Sequence, residues 1–266
     1  MNVAVMGVVN VTPDSFVGDV RTPTVDGAVQ RCLRLVAEGA SIIDIGGEST
    51  RPGSTSIGLD EELARVMPVI QELLPQLDPS IRVSIDTQKE EVARAAIAEG
   101  AHIINDVSSS LGHVAGELQC GYVAAHMLDT PETMQHNPTY DDVVLEILTE
   151  VTAASQAARE AGASYVWIDP GIGFGKTIGH NLSLLSNIDR FVAVGLPVLV
   201  GVSRKGFIGR LHTASDTGGG LVDASPTSTE DRLEASVALA VWSGAHGVDV
   251  VRVHDVLATV QALAAL

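Results

Sequence analysis

The sequence predicts a single (β/α)8 TIM barrel spanning residues 1–266. Three observations carry that reading: a series of short apolar runs rich in β-branched residues, helical patterns between them, and a chain of 266 residues. Strands apolar on both faces and joined by helical crossovers form a parallel sheet. Repeated strand–helix units in roughly 250 residues match the size of a closed barrel. A doubly wound open sheet is the alternative. It is disfavoured because the turn after the first strand, "GVVNVTPDSF", lacks the Gly-rich dinucleotide fingerprint.

The strand runs, in order, are "VAVMGVV" (3–9), "SIIDIG" (41–46), "IRVSID" (81–86), "AHIIND" (101–106), "GYVAAHM" (121–127), "YVWIDP" (165–170), "LPVLVG" (196–201) and "VDVVRVH" (248–254). Between the first two lies "VDGAVQRCLRLVAEGA", a helical pattern that ends on a glycine stop. "LDEELARVMPVIQELLP" is helical with Pro68 inside it, so a kink is expected there. "STEDRLEASVALAVWSGAHG" places Ser228 three residues before Asp231, the spacing of a capping box. "HTASDTGGGLVDASPTST" (212–229) is rich in Gly, Ser and Thr and reads as a loop before that helix.

Composition narrows the function. The chain is 45% hydrophobic but only 3% aromatic, so Val, Ile, Leu and Ala build the core. A net charge of −17 argues against nucleic acid or an anionic membrane as partner. The N-terminus reads as a strand and not a signal peptide, and no run reaches the roughly 18 apolar residues of a membrane helix. Cys32 and Cys120 lie far apart without a CxxC pattern, which predicts free thiols and a reducing, cytoplasmic setting.

In a parallel barrel the reactive groups sit where strands end and helices begin. Here those positions hold Asn10, Asp44 with "GGESTRPG", Asp86, Asn105-Asp106, His126, Asp169, "VSRKG" (202–206), and Arg252 with His254. The three lysines, Lys89, Lys176 and Lys205, fall in the same loops, as do Phe16, Phe174 and Phe207. An acidic chain that collects its few lysines on one face is expected to focus positive potential on an anionic ligand carrying a flat ring.

"WIDPGIGFGKT" (167–177) tests one alternative. Gly175-Lys176-Thr177 resembles the close of a P-loop, but the glycine required five residues before the Gly-Lys pair is Pro170, which has no N–H to offer a phosphate. A nucleoside triphosphate site is excluded.

The motifs "MGVVNVTPDSF", "DIGGESTRPG", "SIDT", "INDV", "IDPGIGFGKT", "VSRKGFIG" and "VRVHDV", in this order at strand ends, resemble the dihydropteroate synthase family over about residues 3 to 257. The resemblance implies a (β/α)8 barrel that joins p-aminobenzoate to 6-hydroxymethyl-7,8-dihydropterin diphosphate, releasing diphosphate and 7,8-dihydropteroate. It implies that Asp86, Asn105, Asp169 and Lys205 hold the pterin ring, with Met127 as a wall. Asn10, Arg252 and His254 would bind diphosphate, with Asn10 also beside Mg²⁺. Phe16, Thr50, Arg51, Pro52, Phe174 and Gly206 would surround p-aminobenzoate. A cytoplasmic homodimer is implied as well. The pattern departs from the family at Val17-Gly18-Asp19-Val20, where Asp19 is expected to stand in for the family's loop aspartate, at Gly206, and in the short "SSSLGHVAGELQCG" segment. Two other readings compete. An inactive pterin-binding paralogue draws on the altered first loop. A corrinoid-linked, pterin-dependent methyltransferase would share the Asp-Asn-Asp set but needs neither a diphosphate cradle nor "VSRKG".

Overall fold

The structure, a computed structural model, describes residues 3–12, 24–218 and 225–266. Phe16 and the Val17–Val20 segment, with Asp19, lie outside the described residues.

The strands are β1 (Ala4–Asn10), β2 (Ile42–Gly46), β3 (Arg82–Asp86), β4 (Ile103–Asp106), β5 (Gly121–Ala125), β6 (Tyr165–Asp169), β7 (Leu199–Val200) and β8 (Val250–Val253). The helices are α1 (Val25–Ala37), α2 (Leu59–Leu73), α3 (Glu90–Glu99), α4 (Gly112–Glu117), α5 (Val143–Ala161), α6 (Ile178–Ser186), α7 (Ile188–Val192), α8 (Gly206–Thr217), α9 (Leu233–Ala245) and α10 (Val256–Leu263). The strands form one parallel sheet in the order β6-β5-β4-β3-β2-β1-β8-β7. A parallel bridge between Ile168 and Val198 then joins β6 to the approach of β7. That contact closes the barrel and disposes of the open-sheet alternative.

Two hydrophobic layers hold the barrel together. The outer layer packs Val5, Ile43, Ile45, Val83, Ile85 and Ile104 against the surrounding helices. The inner layer fills the barrel's lower half with Met6, Ile42, Ile103, Val123, Ala125, Leu199 and Val250. Side chains alternate along a strand. Two residues beyond Ile42, Ile103, Trp167 and Val250 therefore come Asp44, Asn105, Asp169 and Arg252, still facing inward but at the C-terminal mouth. Register completes the set by aligning Gly46 with Asp86 and Asp86 with Asn105.

Local signals mostly behave as the sequence predicts. Thr24 caps α1 by accepting the Gly27 N–H at 3.1 Å, and α2 continues across Pro68 from Leu59 to Leu73. Two expectations are corrected. Residues 212–217, read as loop, belong to α8. They follow an uninterrupted helix from Gly206, and the glycines begin only afterwards. Ser228 does accept the Asp231 N–H at 3.3 Å and donates to the Asp231 carboxylate at 2.7 Å, but the turn it caps is a 3-10 turn, Glu230–Arg232, and α9 starts at Leu233. Both cysteines are free and buried. Among the described residues no helix is long and apolar enough to cross a membrane.

Candidate active site

A cavity of about 820 Å³ opens at the C-terminal mouth of the barrel. It is lined by Asn10 from β1, Ser49–Pro52 after β2, Asp86 from β3, Phe174 and Lys176 after β6, Ser203–Phe207 after β7, Arg252 from β8 and His254 just after it. The sequence-predicted residues Asn10, Thr50, Arg51, Pro52, Asp86, Phe174, Lys205, Gly206, Arg252 and His254 are thus brought together. Asn105, Met127 and Asp169 are not among the lining residues. Asn105 is 3% exposed and donates its amide N–H to Asp44 at 2.9 Å. Asp169 is 8% exposed and accepts the Gly171 N–H at 2.7 Å. Met127 is half-buried just beyond β5.

The centre of the site is an ion-pair cluster. The Arg252 guanidinium donates from Nε to Asp44 Oδ2 at 2.6 Å and from Nη2 to Asp86 Oδ2 at 2.5 Å. The sequence reading gave Asp86 and Arg252 separate duties, and the structure joins them. The second oxygens, Asp44 Oδ1 and Asp86 Oδ1, are buried without a hydrogen-bond partner. A buried carboxylate oxygen without a donor is costly, and of the two carboxylates Asp86 is the one that lines the cavity, where a ligand can supply the donor. Burial lifts the Asp86 carboxyl to about 7; Arg252 opposes that shift and Asp44 adds repulsion. Burial also raises Asp169 above the ordinary carboxylate range, against the Gly171 N–H and Lys205.

Lys205 sits at the N-cap of α8, its Nζ 3.8 Å above the Phe174 ring. Burial first, and then Arg252, push its ammonium down to about 8. The N-terminus of α8 carries no side-chain cap, so its first N–H groups are open to an anion. Ser203 Oγ accepts the His254 N–H at 3.1 Å and also lies 3.1 Å from Nδ1, to which its own proton can be given. The tautomer assigned on this network leaves Nε2–H as donor. Burial and Arg252 hold His254 down to about 3. Both effects favour the neutral imidazole.

The expected lysine field is corrected too. Lys89 turns away from the cavity, with Nζ 3.0 Å from Glu48 and 2.6 Å from Glu62. Lys176 is 3% exposed and is held by His126 Nδ1 at 2.9 Å and the Phe174 carbonyl at 2.9 Å. It anchors the Phe174 loop. Gly171 lets that loop pass: its φ is +64, and a Cβ there would lie 1.8 Å from the His126 carbonyl oxygen. The positive lining comes mainly from arginines, Arg51, Arg204, Arg210, Arg232 and Arg252, with Lys205; Lys176 also reaches the lining, but burial pushes its ammonium well down. Among the described lining residues the acid is Asp86. In a chain of net charge −17, that is strong local inversion of sign. Arg210 and Arg232 lie outside every motif and gave no signal, and Ser203 and Arg204 were hidden inside "VSRKG". Asp106, at the end of β4, is structural: it accepts from Tyr122, Ser108 and the Leu111 N–H.

The fold and this mouth define a parallel-barrel protein whose cavity sets one buried carboxylate among cationic side chains. A family model described as pterin binding enzyme matches residues 6–254. Dihydropteroate synthase of Mycobacterium leprae is 44% identical over 98% of this chain and 91% of its own, and that of Escherichia coli K12 is 40% identical over 97% and 89%. Among solved structures, Xanthomonas albilineans dihydropteroate synthase with 4-aminobenzoic acid is 42% identical with a TM-score of 0.86, covering 99% of this chain and 92% of that one. The same enzyme in complex with 7,8-dihydropteroate gives a TM-score of 0.82 at 39% identity over the same shares. The chain belongs to the dihydropteroate synthase family of pterin-binding enzymes.

Proposed function

We propose that the chain condenses 6-hydroxymethyl-7,8-dihydropterin diphosphate with p-aminobenzoate, giving 7,8-dihydropteroate and diphosphate. The observation that carries the reading is Asp86, a buried acceptor with a free oxygen inside a lining otherwise cationic. A pterin edge presents adjacent N–H donors, which a carboxylate accepts in a bidentate pair. Asn105, paired in register with Asp86, and Asp169 lie buried behind the lining and would reach the ring from there, while Lys205 would donate to a ring acceptor. Met127, half-buried just beyond β5, would serve as an outer wall only once the ring is bound.

The diphosphate would lie against Asn10, Arg252 and the Nε2–H of His254. Among the described residues no group of three or more His, Cys, Asp or Glu side chains gathers to hold a metal ion. The side-chain oxygen of Asn10, which lines the cavity, suits Mg²⁺ carried mainly by phosphate and water. Bound there, the ion would withdraw charge from the leaving diphosphate. The chain's own part is positioning and electrostatic preorganisation. Arg252 would neutralise the departing oxygen as the methylene C–O bond breaks, the Asp86 carboxylate would favour the cation-like methylene that develops, and the arylamine nitrogen would bond to that carbon and lose its extra proton to solvent or the released diphosphate. No side chain is needed as nucleophile. Phe174, Thr50, Arg51 and Pro52 would flank the aryl ring, and the N–H groups opening α8 at Gly206 would receive its carboxylate.

Homodimerisation has its own support. Trp242 and Leu257, on α9 and α10, are 47% and 50% exposed, and Leu266 beyond them is 56% exposed. Large apolar side chains on one packed helix pair suit a second copy of the chain.

The test is to incubate the protein with p-aminobenzoate, the pterin diphosphate and Mg²⁺ and to measure diphosphate and 7,8-dihydropteroate together. Stoichiometric release of both is expected. Pterin binding without product would return the inactive-paralogue reading.

A further inference from the structure

The Ser49–Ser56 loop, which carries Thr50, Arg51 and Pro52 to the cavity, is closed on itself by one carboxylate. Glu48, at the loop's start, accepts at Oε1 from its far end, the Ser56 hydroxyl at 2.7 Å and the Ile57 N–H at 2.6 Å. Its other oxygen meets Lys89 Nζ at 3.0 Å. The same ammonium lies 2.6 Å from Glu62 Oε2, and Glu62 Oε1 accepts from Thr87 at 2.6 Å. Glu48 is 7% exposed and Glu62 fully buried. The base of the loop is pressed onto α2: a Cβ on Gly47 would come within 2.8 Å of Val66, and Arg65 donates to the Gly47 carbonyl at 2.8 Å. The tip is braced from the other side by the Gly53 N–H to the Pro131 carbonyl at 2.8 Å.

We propose that Glu48 and Lys89 are positioning residues for the condensation, holding the Thr50–Pro52 loop in the place where it receives the arylamine. The inference rests on the function proposed above. Charges are rarely buried unless each is paired and hydrogen-bonded, and here all four oxygens of the two glutamates have donors. A buried cluster that only stabilised the barrel would not need to grip both ends of one loop. None of Glu48, Glu62, Thr87 or Lys89 lines the cavity, so the cluster acts through the loop and not on substrate. Removing the Lys89 ammonium leaves two facing carboxylates, which would push Glu48 off Ser56 and Ile57 and free the loop's end.

The test is steady-state kinetics of Lys89→Met, Glu48→Gln and the milder Ser56→Ala, alongside amide exchange. The KM for p-aminobenzoate is expected to rise about tenfold or more in the first two and about twofold in the third, with pterin affinity within about a factor of two of the parent. Exchange at Gly53, Ser54 and Ile57 should quicken while β2 and β3 amides stay protected, and Lys89→Arg should restore the amine KM. An unchanged amine KM in a folded variant, or equal losses for both substrates with a matching fall in Tm, would reduce the cluster to a structural one. A parent without condensation activity would count against the proposed function and not against this loop's anchoring, which the exchange data read by themselves.

Discussion

Arg252 Nη2 lies 2.5 Å from Asp86 Oδ2 across the barrel mouth, between β8 and β3. The acceptor proposed for the ring and the cation proposed for the leaving group share one hydrogen bond, so substrate binding and charge neutralisation are built on a single pair.

Asp86→Asn is expected to abolish detectable pterin binding while leaving the fold intact. The amide turns one acceptor into a donor that faces the ring's own N–H. The loss should be about 2–4 kcal/mol, read by calorimetry with a pterin ligand. Unchanged affinity would remove Asp86 from the pocket.

Arg252→Ala should do two things at once. It strands Asp44 and Asp86 as buried carboxylates without their common cation, which costs roughly 3–5 kcal/mol of stability and should appear as a lowered Tm. It should also weaken binding of the pterin diphosphate far more than of a pterin lacking diphosphate, since a guanidinium suits phosphate bidentately. Equal losses for the two ligands would make the residue purely structural.

The pH dependence of pterin binding follows from two shifted groups. Asp86, lifted by burial to about 7, must be ionised to accept the ring's N–H groups, and Lys205, lowered by burial to about 8, must be protonated to donate. Affinity should rise to a maximum between these values and fall roughly fivefold from pH 7 to pH 6, with one proton released per pterin bound on the acid side. Calorimetry in two buffers of different ionisation heat measures that proton. Stability moves the other way on the acid limb. A carboxyl whose folded pKa exceeds its unfolded one favours the native state most below the unfolded value near pH 4 and loses that contribution as pH rises through 7. A flat binding profile between pH 6 and 9 would overturn the assignment.

Trp242→Glu and Leu257→Glu should yield monomers in sedimentation velocity if the α9–α10 surface joins two copies. The barrel should remain folded by circular dichroism, because both side chains are about half exposed. A dimer that survives both changes would place the interface elsewhere.

The chain's own pattern determined the barrel and most of the site's membership. Apolar β-branched runs each closing on a polar residue can be read locally, because a strand's period and its terminal polar group are properties of a few adjacent residues. So could the exclusion of a P-loop at Pro170. What the tertiary structure alone decided is which polar groups meet. Arg252 and Asp44 are 208 positions apart, and only closing β8 onto β1 makes them partners. Lys89 and Lys176 looked like Lys205 in sequence, each in a strand-to-helix loop, yet nearby carboxylates claim the first and carbonyls with His126 the second. The pull on His254 toward its neutral form was likewise invisible, since it comes from burial and from Arg252. Sequence spacing places a side chain on a face of its own strand. Whether it is paired, buried or open to a ligand depends on neighbours supplied by the other strands, and those are fixed only when the barrel closes.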